Sequence, residues 1–226
     1  MSDVVRRLAE VRARIARACD ACGRDPASVA LVAVSKTHPA DAIRAAYDAG
    51  QRAFGESYAQ ELAAKSEALA DLAELEWHFI GHLQSNKAKL VAKSAHVVHA
   101  LASASTAQEL AKRAALAGRP VLSAFIEVNV SGEAQKHGVA PGELSDLIRA
   151  VRAEPGLALR GLMTMPPLGD PEIARSTFAT LASLRNLHGG PELLPELSMG
   201  MSGDFEIAIA CGSTMVRVGT AIFGER

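Results

Sequence analysis

The sequence lacks an excess of charge of either sign: 24 lysine and arginine residues stand against 25 aspartate and glutamate residues in 226 positions. This balance offers no overall basic field for nucleic acid and no acidic tail, so a small molecule is the expected partner. Apolar runs of the roughly 18 residues that span a bilayer are also absent, and the polar segment 1–7 is unlike a signal peptide. We therefore expect a cytoplasmic protein without a membrane or nucleic-acid partner.

Cysteine is scarce, and three residues in a chain of this length predict no disulfide framework. Cys19 and Cys22 form a C-x-x-C pair, which does redox chemistry in some proteins. Both fall in a predicted amphipathic helix that Ser2 would cap and Gly23 would end. Its apolar stripe, at spacings of three and four, comprises Val4, Leu8, Val11, Ile15, Ala18 and Cys22. We interpret the cysteines as packing residues, with redox or metal binding as the alternative.

Short apolar strands alternate with helical stretches along the rest of the chain. The predicted strands lie near residues 29–35, 52–55, 76–80, 96–100, 120–128, 157–163, 196–199 and 214–218. Eight such units predict an α/β fold, a single (β/α)8 barrel domain over 1–226 with an additional N-terminal helix over 1–24. An open doubly wound sheet is the alternative, although its usual G-x-G-x-x-G fingerprint is missing after the first strand.

The predicted helix starts place several side chains on strand-to-helix loops. Pro39 suits a first helical position, Ser57 and Gln60 match a capping box, and Ser85 is a candidate cap for the helix after strand three. Lys36 and Ser57 then lie on loops that, in a barrel, open on the face where active sites are found.

Lys36 ends the apolar run "LVAVSK" and shares a strand face with Val32 and Val34. At the barrel mouth, desolvation would favour its neutral amine, the form that condenses with an aldehyde. The alternative is a lysine that reaches into solvent at a strand end.

The carboxyl-terminal region contains two loops with available backbone amides. Residues 200–203 (Gly200, Met201, Ser202 and Gly203) lead into a short helix from Asp204, and Gly219 and Thr220 follow the last strand. Barrels frequently bind a phosphate between the loops after strands seven and eight, whereas ordinary tight turns are the alternative. Arg217 alternates with apolar residues on the last strand, and a buried guanidinium needs a hydrogen-bonding partner.

A reactive lysine, a pair of phosphate loops and an arginine at one barrel mouth suit pyridoxal 5′-phosphate. Seven motifs then follow in order: "AVSKTHP", "FGESYAQE", "WHFIGHLQSNK", "EVNVSGEAQKHG", "GLMTMP", "LSMGMSGDFEIAI" and "VRVGTAIFGER". In these motifs, from about Val29 to Arg226, the chain resembles the pyridoxal phosphate homeostasis proteins, which are relatives of the amino-terminal domain of alanine racemase.

The resemblance implies a barrel that carries the cofactor on Lys36, with its phosphate at Ser202, Gly219 and Thr220. It also implies that Arg217 faces the pyridine nitrogen and keeps it unprotonated, which would make carbanion chemistry slow. This family usually has asparagine at the position of Ser57, so a direct cofactor contact from this shorter side chain does not follow from the resemblance.

The implied function is reversible binding of pyridoxal phosphate, with buffering or delivery to apo-enzymes, by a monomer without robust turnover. An amino-acid racemase or decarboxylase is the alternative, although only Tyr47 and Tyr58 are available as a tyrosine acid–base partner for Lys36. A third hypothesis is an interaction module in which Lys36 is structural.

Other polar residues carry weaker signals. His78, His82, His96 and His99 invite a metal hypothesis, but their spacing does not match a zinc motif. Lys87, in the first turn of its predicted helix, suits either anion binding or simple solvation.

Overall fold

The computed structural model describes residues 2–133 and 135–225, so Met1 and Arg226, the ends of the predicted domain, lie outside the described residues. Within them the strands are Ala30–Val34 (β1), Ala53–Glu56 (β2), Glu76–Phe79 (β3), Val97–Leu101 (β4), Leu122–Glu127 (β5), Leu157–Met163 (β6), Glu196–Ser198 (β7) and Met215–Val218 (β8). Neighbouring strands are parallel, and β8 pairs with β1 to close the barrel. The predicted (β/α)8 barrel is confirmed, and the open sheet is wrong.

Helices cover the outside of this barrel. They are Asp3–Ala21 (α1), Ala40–Asp48 (α2), Ala59–Ala68 (α3), Ala88–Ser94 (α4), Ala104–Leu116 (α5), Leu144–Arg152 (α6), Pro171–Leu187 (α7), Gly190–Leu193 (α8), Phe205–Ala210 (α9) and Thr220–Phe223 (α10). Short 3-10 helices span Pro26–Ser28, Ser85–Lys87 and Pro141–Glu143. In the part of the chain that the structure describes, no helix has the length and hydropathy needed to cross a membrane.

The N-terminal helix α1 packs against α2, α9 and α10. Ser2 caps it as predicted, since its Oγ accepts a hydrogen bond from the backbone N–H of Val5 at 3.4 Å. The predicted stripe is wrong at its end: Cys19 is buried and Cys22 is exposed. The buried face runs through Leu8, Val11, Ile15 and Cys19, because the later residues have turned past the contact with the barrel.

Two apolar layers surround the strands. The larger layer lies between strands and helices, and the smaller one fills the barrel interior with Val32, Val97, Ala100, Phe125, Met163 and Met215. This division follows from the alternation of side chains along each strand, which sends Val32 inwards and its neighbour Ala33 outwards.

Three predicted helix starts are wrong. Pro39 is the N-cap of α2 rather than its first residue, and Tyr58, in extended conformation, takes the N-cap of α3 in place of Ser57. Ser85 opens a 3-10 turn behind Gln84, so α4 begins only after Lys87. At the starts of α2, α3 and α4 no side-chain cap hydrogen bond is made among the described residues.

Candidate ligand site at the barrel mouth

A cavity of about 520 Å³ opens at the carboxyl ends of the strands. Its wall includes all eight residues predicted as a site from the sequence: Lys36, Ser57, Met201, Ser202, Gly203, Arg217, Gly219 and Thr220. They come from β8 and from the loops after β1, β2, β7 and β8. Pockets of this size accept small organic ligands. The structure thus brings the predicted residues together, while their contacts with a ligand stay a prediction.

Lys36 lies in a turn just beyond β1 and is partly buried. Strand β1 ends at Val34, which also lines the cavity, so the chain turns at the barrel mouth with the lysine on the cavity wall. The sequence-based interpretation of a lysine at the mouth therefore agrees with its position.

Arg217 is buried on β8 and borders the base of the cavity. Its Nη1 donates a hydrogen bond to Ser198 Oγ at 2.6 Å, and its Nη2 donates to the carbonyl of Thr164 at 3.1 Å. Burial lowers the pKa of Arg217 to about 10, and the nearby Glu127 and Asp204 oppose this effect. The side chain therefore remains a cation at neutral pH, and its partners are a neutral hydroxyl and a carbonyl.

A chain of hydrogen bonds runs from Arg217 through the barrel. Ser198 Oγ lies 2.8 Å from His99 Nδ1, and His99 Nε2 lies 2.8 Å from His78 Nδ1. Burial, followed by His78 and Arg217, holds the pKa of His99 well below its ordinary value, so this ring is neutral. Since Arg217 donates to Ser198, the hydroxyl is free to donate to His99, whose Nε2–H then donates to His78.

This chain also bears on the metal hypothesis. His78 and His99 bond to each other inside the barrel, whereas His82 stacks on His137 at a centroid distance of 3.7 Å outside it. Among residues 2–133 and 135–225, no group of three or more candidate ligands is placed to hold a metal ion.

The two predicted amide loops meet at one side of the cavity. Ser202 Oγ accepts hydrogen bonds from the backbone N–H groups of Gly219 at 3.2 Å and Ala221 at 3.5 Å. The backbone N–H of Met201 donates to Asp204 Oδ1 at 2.6 Å, which fixes the first loop. The hydroxyl of Ser202 thus stands where the two loops converge, in front of amides that an anion can use.

Ser57 lines the cavity, and its backbone lies in close contact with Gly81. A Cβ atom on Gly81 would lie only 2.0 Å from the carbonyl oxygen of Ser57, so only glycine fits where the loops after β2 and β3 cross. Ser57 is held by this packing and not by a capping role.

Sequence reasoning missed an apolar wall of the cavity. Met165 and residues 167–170, between β6 and α7, line one side together with Pro171 at the start of α7, and Ile80 and Ile207 line others. Leu168 is 88% exposed at the rim. The motif "GLMTMP" marked the region, but only the fold shows that it turns over the cavity.

Lys87 and the loop 129–138 lie outside the cavity wall as the structure describes it. The side-chain amide of Asn129 donates to the carbonyl of Glu133 at 2.9 Å, so this residue closes its own loop.

Sequence reasoning also missed Glu127, which is the last residue of the apolar strand β5. Lys36 has a similar position, since it lies two residues beyond the end of β1. Glu127 is only 4% exposed, and burial raises its pKa from 4.5 to about 7 against the attraction of Arg217. Its signal, a carboxylate that closes the run "LSAFIE", was visible in the sequence.

We expect this buried carboxyl to make stability depend on pH. Between about pH 4.5 and about 7 the folded state binds the proton more tightly than the unfolded state, so stability falls as pH rises through this window. Glu127→Gln cannot ionise and should exceed the wild type by up to about 3 kcal/mol near pH 8. Denaturant unfolding across this range measures the difference, which should become small below about pH 4.5. The exposed Glu143→Gln is the control, and parallel pH profiles for Glu127→Gln and the wild type would contradict the prediction.

The donor set fits a small anionic aldehyde: an amine, a cationic guanidinium and two loops with backbone amides face one cavity. Fold and cavity together define a (β/α)8 barrel with a ligand-sized cavity at the carboxyl ends of its strands. The sequence of residues 7–226 matches the family described as alanine racemase, N-terminal domain.

Comparison with known proteins identifies the family to which the chain belongs within this class. The chain is 49% identical over 228 residues to the pyridoxal phosphate homeostasis protein of Pseudomonas aeruginosa, with coverage of 100% of this chain and 97% of that one. Its identity to the protein of the same name from Escherichia coli K12 is 45% over 233 residues, with 100% and 98% covered. The chain belongs to the family of pyridoxal phosphate homeostasis proteins, which confirms the resemblance found in its motifs.

A solved structure supports the same relationship. PipY of Synechococcus elongatus PCC7942, with pyridoxal phosphate bound, superposes with a TM-score of 0.82 at 38% identity, covering 98% of this chain and 100% of that chain.

Proposed function

We propose that the protein binds pyridoxal 5′-phosphate reversibly through Lys36 and buffers it or delivers it to apo-enzymes, without robust turnover of its own. One observation carries the proposal: Lys36, Arg217 and the two amide loops line a single cavity. The cofactor in the PipY structure and the names of the relatives support the same ligand. In this proposal residues 1–226 form one cofactor-binding domain, which acts as a monomer in the cytoplasm.

Lys36 supplies the covalent attachment. Its neutral ε-amine attacks the aldehyde carbon of the cofactor, a carbon–nitrogen double bond forms, and one water molecule leaves. Hydrolysis of this Schiff base returns the water and releases the intact aldehyde. The exchange needs no further reactant, which suits a protein that stores and releases its ligand.

The remaining residues orient the ligand. The backbone N–H groups of Gly219 and Thr220, with the Ser202 hydroxyl, are suited to hold the phosphate. Arg217 is suited to donate to the pyridine nitrogen, because a guanidinium offers five N–H donors and no acceptor. The guanidinium nitrogens Nη1 and Nη2 already donate hydrogen bonds to Ser198 Oγ and to the carbonyl of Thr164. A ring nitrogen that accepts from Arg217 stays unprotonated, so the bound cofactor is a poor electron sink.

The positions of the tyrosines argue against a racemase. Tyr47, on α2, lies with its hydroxyl near the backbone N–H of Glu74 at 3.4 Å, and Tyr58 is 55% exposed at the start of α3. Neither belongs to the cavity wall in the described part of the chain. A tyrosine that could exchange a proton with the second face of an amino-acid α-carbon is therefore not placed there.

The test is a cofactor-transfer experiment. The purified protein is loaded with pyridoxal phosphate and its absorbance spectrum is recorded, and it is then mixed with a pyridoxal-phosphate-dependent apo-enzyme. We expect a Schiff-base absorbance band that declines as the apo-enzyme gains activity. A parallel incubation with single enantiomers of alanine and serine measures racemisation. The absence of a band would contradict cofactor binding, and rapid racemisation would establish an enzyme instead.

A further inference from the structure

The turn that carries Lys36 is held from behind by a buried group of charged side chains. Lys65 Nζ, on α3, donates hydrogen bonds to the Ser35 carbonyl at 2.7 Å, to Glu56 Oε1 at 2.8 Å and to Glu61 Oε1 at 2.8 Å. The Ser35 hydroxyl donates to the same Glu56 oxygen at 2.7 Å. We call Lys65, Glu56 and Glu61 the Lys65 cluster. It fixes the residue that precedes Lys36.

The residue that follows Lys36 is fixed as well. The backbone N–H of Thr37 donates to Glu61 Oε1 at 2.6 Å. Thr37 has φ 67°, a left-handed conformation that is rare for a β-branched residue and costs about 1–3 kcal/mol. Such a conformation persists only where its surroundings enforce it. The cluster therefore holds both neighbours of Lys36, one of them in a strained turn.

Burying the charged groups of the Lys65 cluster costs free energy, so packing alone does not explain their presence. Glu56 is fully buried and Lys65 is 8% exposed, and Glu56 Oε2 has no hydrogen-bond partner among the described residues. Burial raises the pKa of Glu56, which Lys65 and Ser35 oppose. Apolar side chains of similar size often stabilise such a position as well as an ion pair does. What apolar side chains cannot supply is the set of hydrogen bonds to Ser35 and Thr37.

The cluster does not touch the ligand space. Its three residues are absent from the described wall of the cavity, whereas Lys36 is part of that wall. The hydrogen bonds to Ser35 and Thr37 therefore give the cluster a route to the ligand through the position of Lys36.

We propose that the Lys65 cluster is a positioning device that holds the Lys36 amine in line with the cofactor aldehyde, with Glu61 as the side chain that couples α3 to the turn. This inference rests on the proposed function and adds to it three positioning residues outside the cavity. Releasing the turn should slow attachment at Lys36 and leave non-covalent binding of the cofactor skeleton in place.

The experiment uses three variants of the full chain. Glu61→Ala removes the acceptor for Thr37 but leaves Lys65 bonded to Glu56 and Ser35, so the fold should persist. Glu61→Gln keeps an acceptor oxygen and tests rescue. Glu109→Ala is the matched control, since Glu109 accepts from Arg113 at i,i+4 on α5 with 26% side-chain exposure against 21% for Glu61.

Two ligands separate positioning from general damage. Pyridoxal 5′-phosphate reports attachment, through the rate at which its Schiff-base band appears and the yield of borohydride-reduced adduct on the Lys36 peptide. Pyridoxine 5′-phosphate, which has an alcohol in place of the aldehyde, reports non-covalent affinity. We expect Glu61→Ala to slow attachment about tenfold to a hundredfold, since a misplacement of about 1 Å has effects of that order. Its affinity for pyridoxine 5′-phosphate should stay within about twofold of the wild type, well below the 1.4 kcal/mol that a tenfold change represents.

Each outcome bears on the inference. Slow attachment in Glu61→Ala, near-normal attachment in Glu61→Gln and no change in Glu109→Ala would support it. Wild-type attachment in Glu61→Ala, failure of Glu61→Gln to rescue, or equal loss of both ligands would overturn it. If the wild type itself forms no adduct, the proposed function fails, and this result is distinct from failure of the positioning role alone.

Discussion

Replacement of Lys36 with alanine is expected to abolish the borohydride-reduced adduct completely, because no other side chain of the cavity wall, as formed by residues 2–133 and 135–225, offers a primary amine. Lys65, on α3, is buried and bonded to Glu56 and Glu61 behind the turn. Trapping with borohydride followed by peptide mass analysis measures the adduct. The exposed Lys89→Ala is the control and should label as the wild type does.

Thermal unfolding gives a second measure of the same change. A ligand at about 100 times its Kd stabilises a protein by about 2.7 kcal/mol, and for a chain of this length each kcal/mol raises the Tm by about 2–4 °C. We expect the cofactor to raise the wild-type Tm by about 5–10 °C on this scale and to raise that of Lys36→Ala much less. Lys36→Ala without cofactor should keep the helical content of the wild type. An adduct that persists in this variant would place the attachment elsewhere and overturn the proposed site.

Gly81→Ala is expected to destabilise the fold strongly. The added Cβ would lie 2.0 Å from the Ser57 carbonyl oxygen, 2.7 Å from its carbonyl carbon and 2.9 Å from its Cα. All three are backbone atoms, so a side-chain rotation cannot relieve the overlap, and the loops after β2 and β3 must separate. We expect a loss of about 1–3 kcal/mol or more, the range seen for overpacked positions. Denaturant unfolding measures this loss.

A second glycine serves as the control for this variant. Gly142 has open space around the position of a Cβ, lies outside the left-handed region and is not part of the described cavity wall, so Gly142→Ala should be neutral or slightly stabilising. Because Ser57 lines the cavity, Gly81→Ala should also weaken cofactor binding, whereas Gly142→Ala should not. Equal stability of the two variants would contradict the close approach of the two loops.

The sequence predicted the barrel well because each strand is a short apolar run that ends in polar residues. The first strand was expected near 29–35 and spans Ala30–Val34, and the fifth was expected near 120–128 and spans Leu122–Glu127. Helix starts were predicted less well. Ser57 has the residue type of a cap, but the chain bends at Ser57 and is extended at Tyr58 before α3 begins, and that path is a property of the closed barrel.

Some residues of the site were predicted from the sequence, and others were missed. Lys36 and Arg217 were found because a single cation in an apolar strand needs an explanation. The Lys65 cluster was missed because Glu61 and Lys65 have the spacing of an ordinary exposed helical pair, and only the packing of α3 shows which face is buried. Met165 and its neighbours were missed because an irregular loop has no periodicity from which its direction can be inferred.

The pairing of β1 with β8 has a consequence for how the protein matures. Val32 lies opposite Arg217, so the strand before the lysine and the strand with the arginine meet only when the first and last strands join. The wall of the cavity is therefore complete only after the last strand has been synthesised and has paired with the first. In the proposed binding mode, a ligand attached to Lys36 and bonded to Arg217 would link β1 to β8 and oppose separation of the two strands.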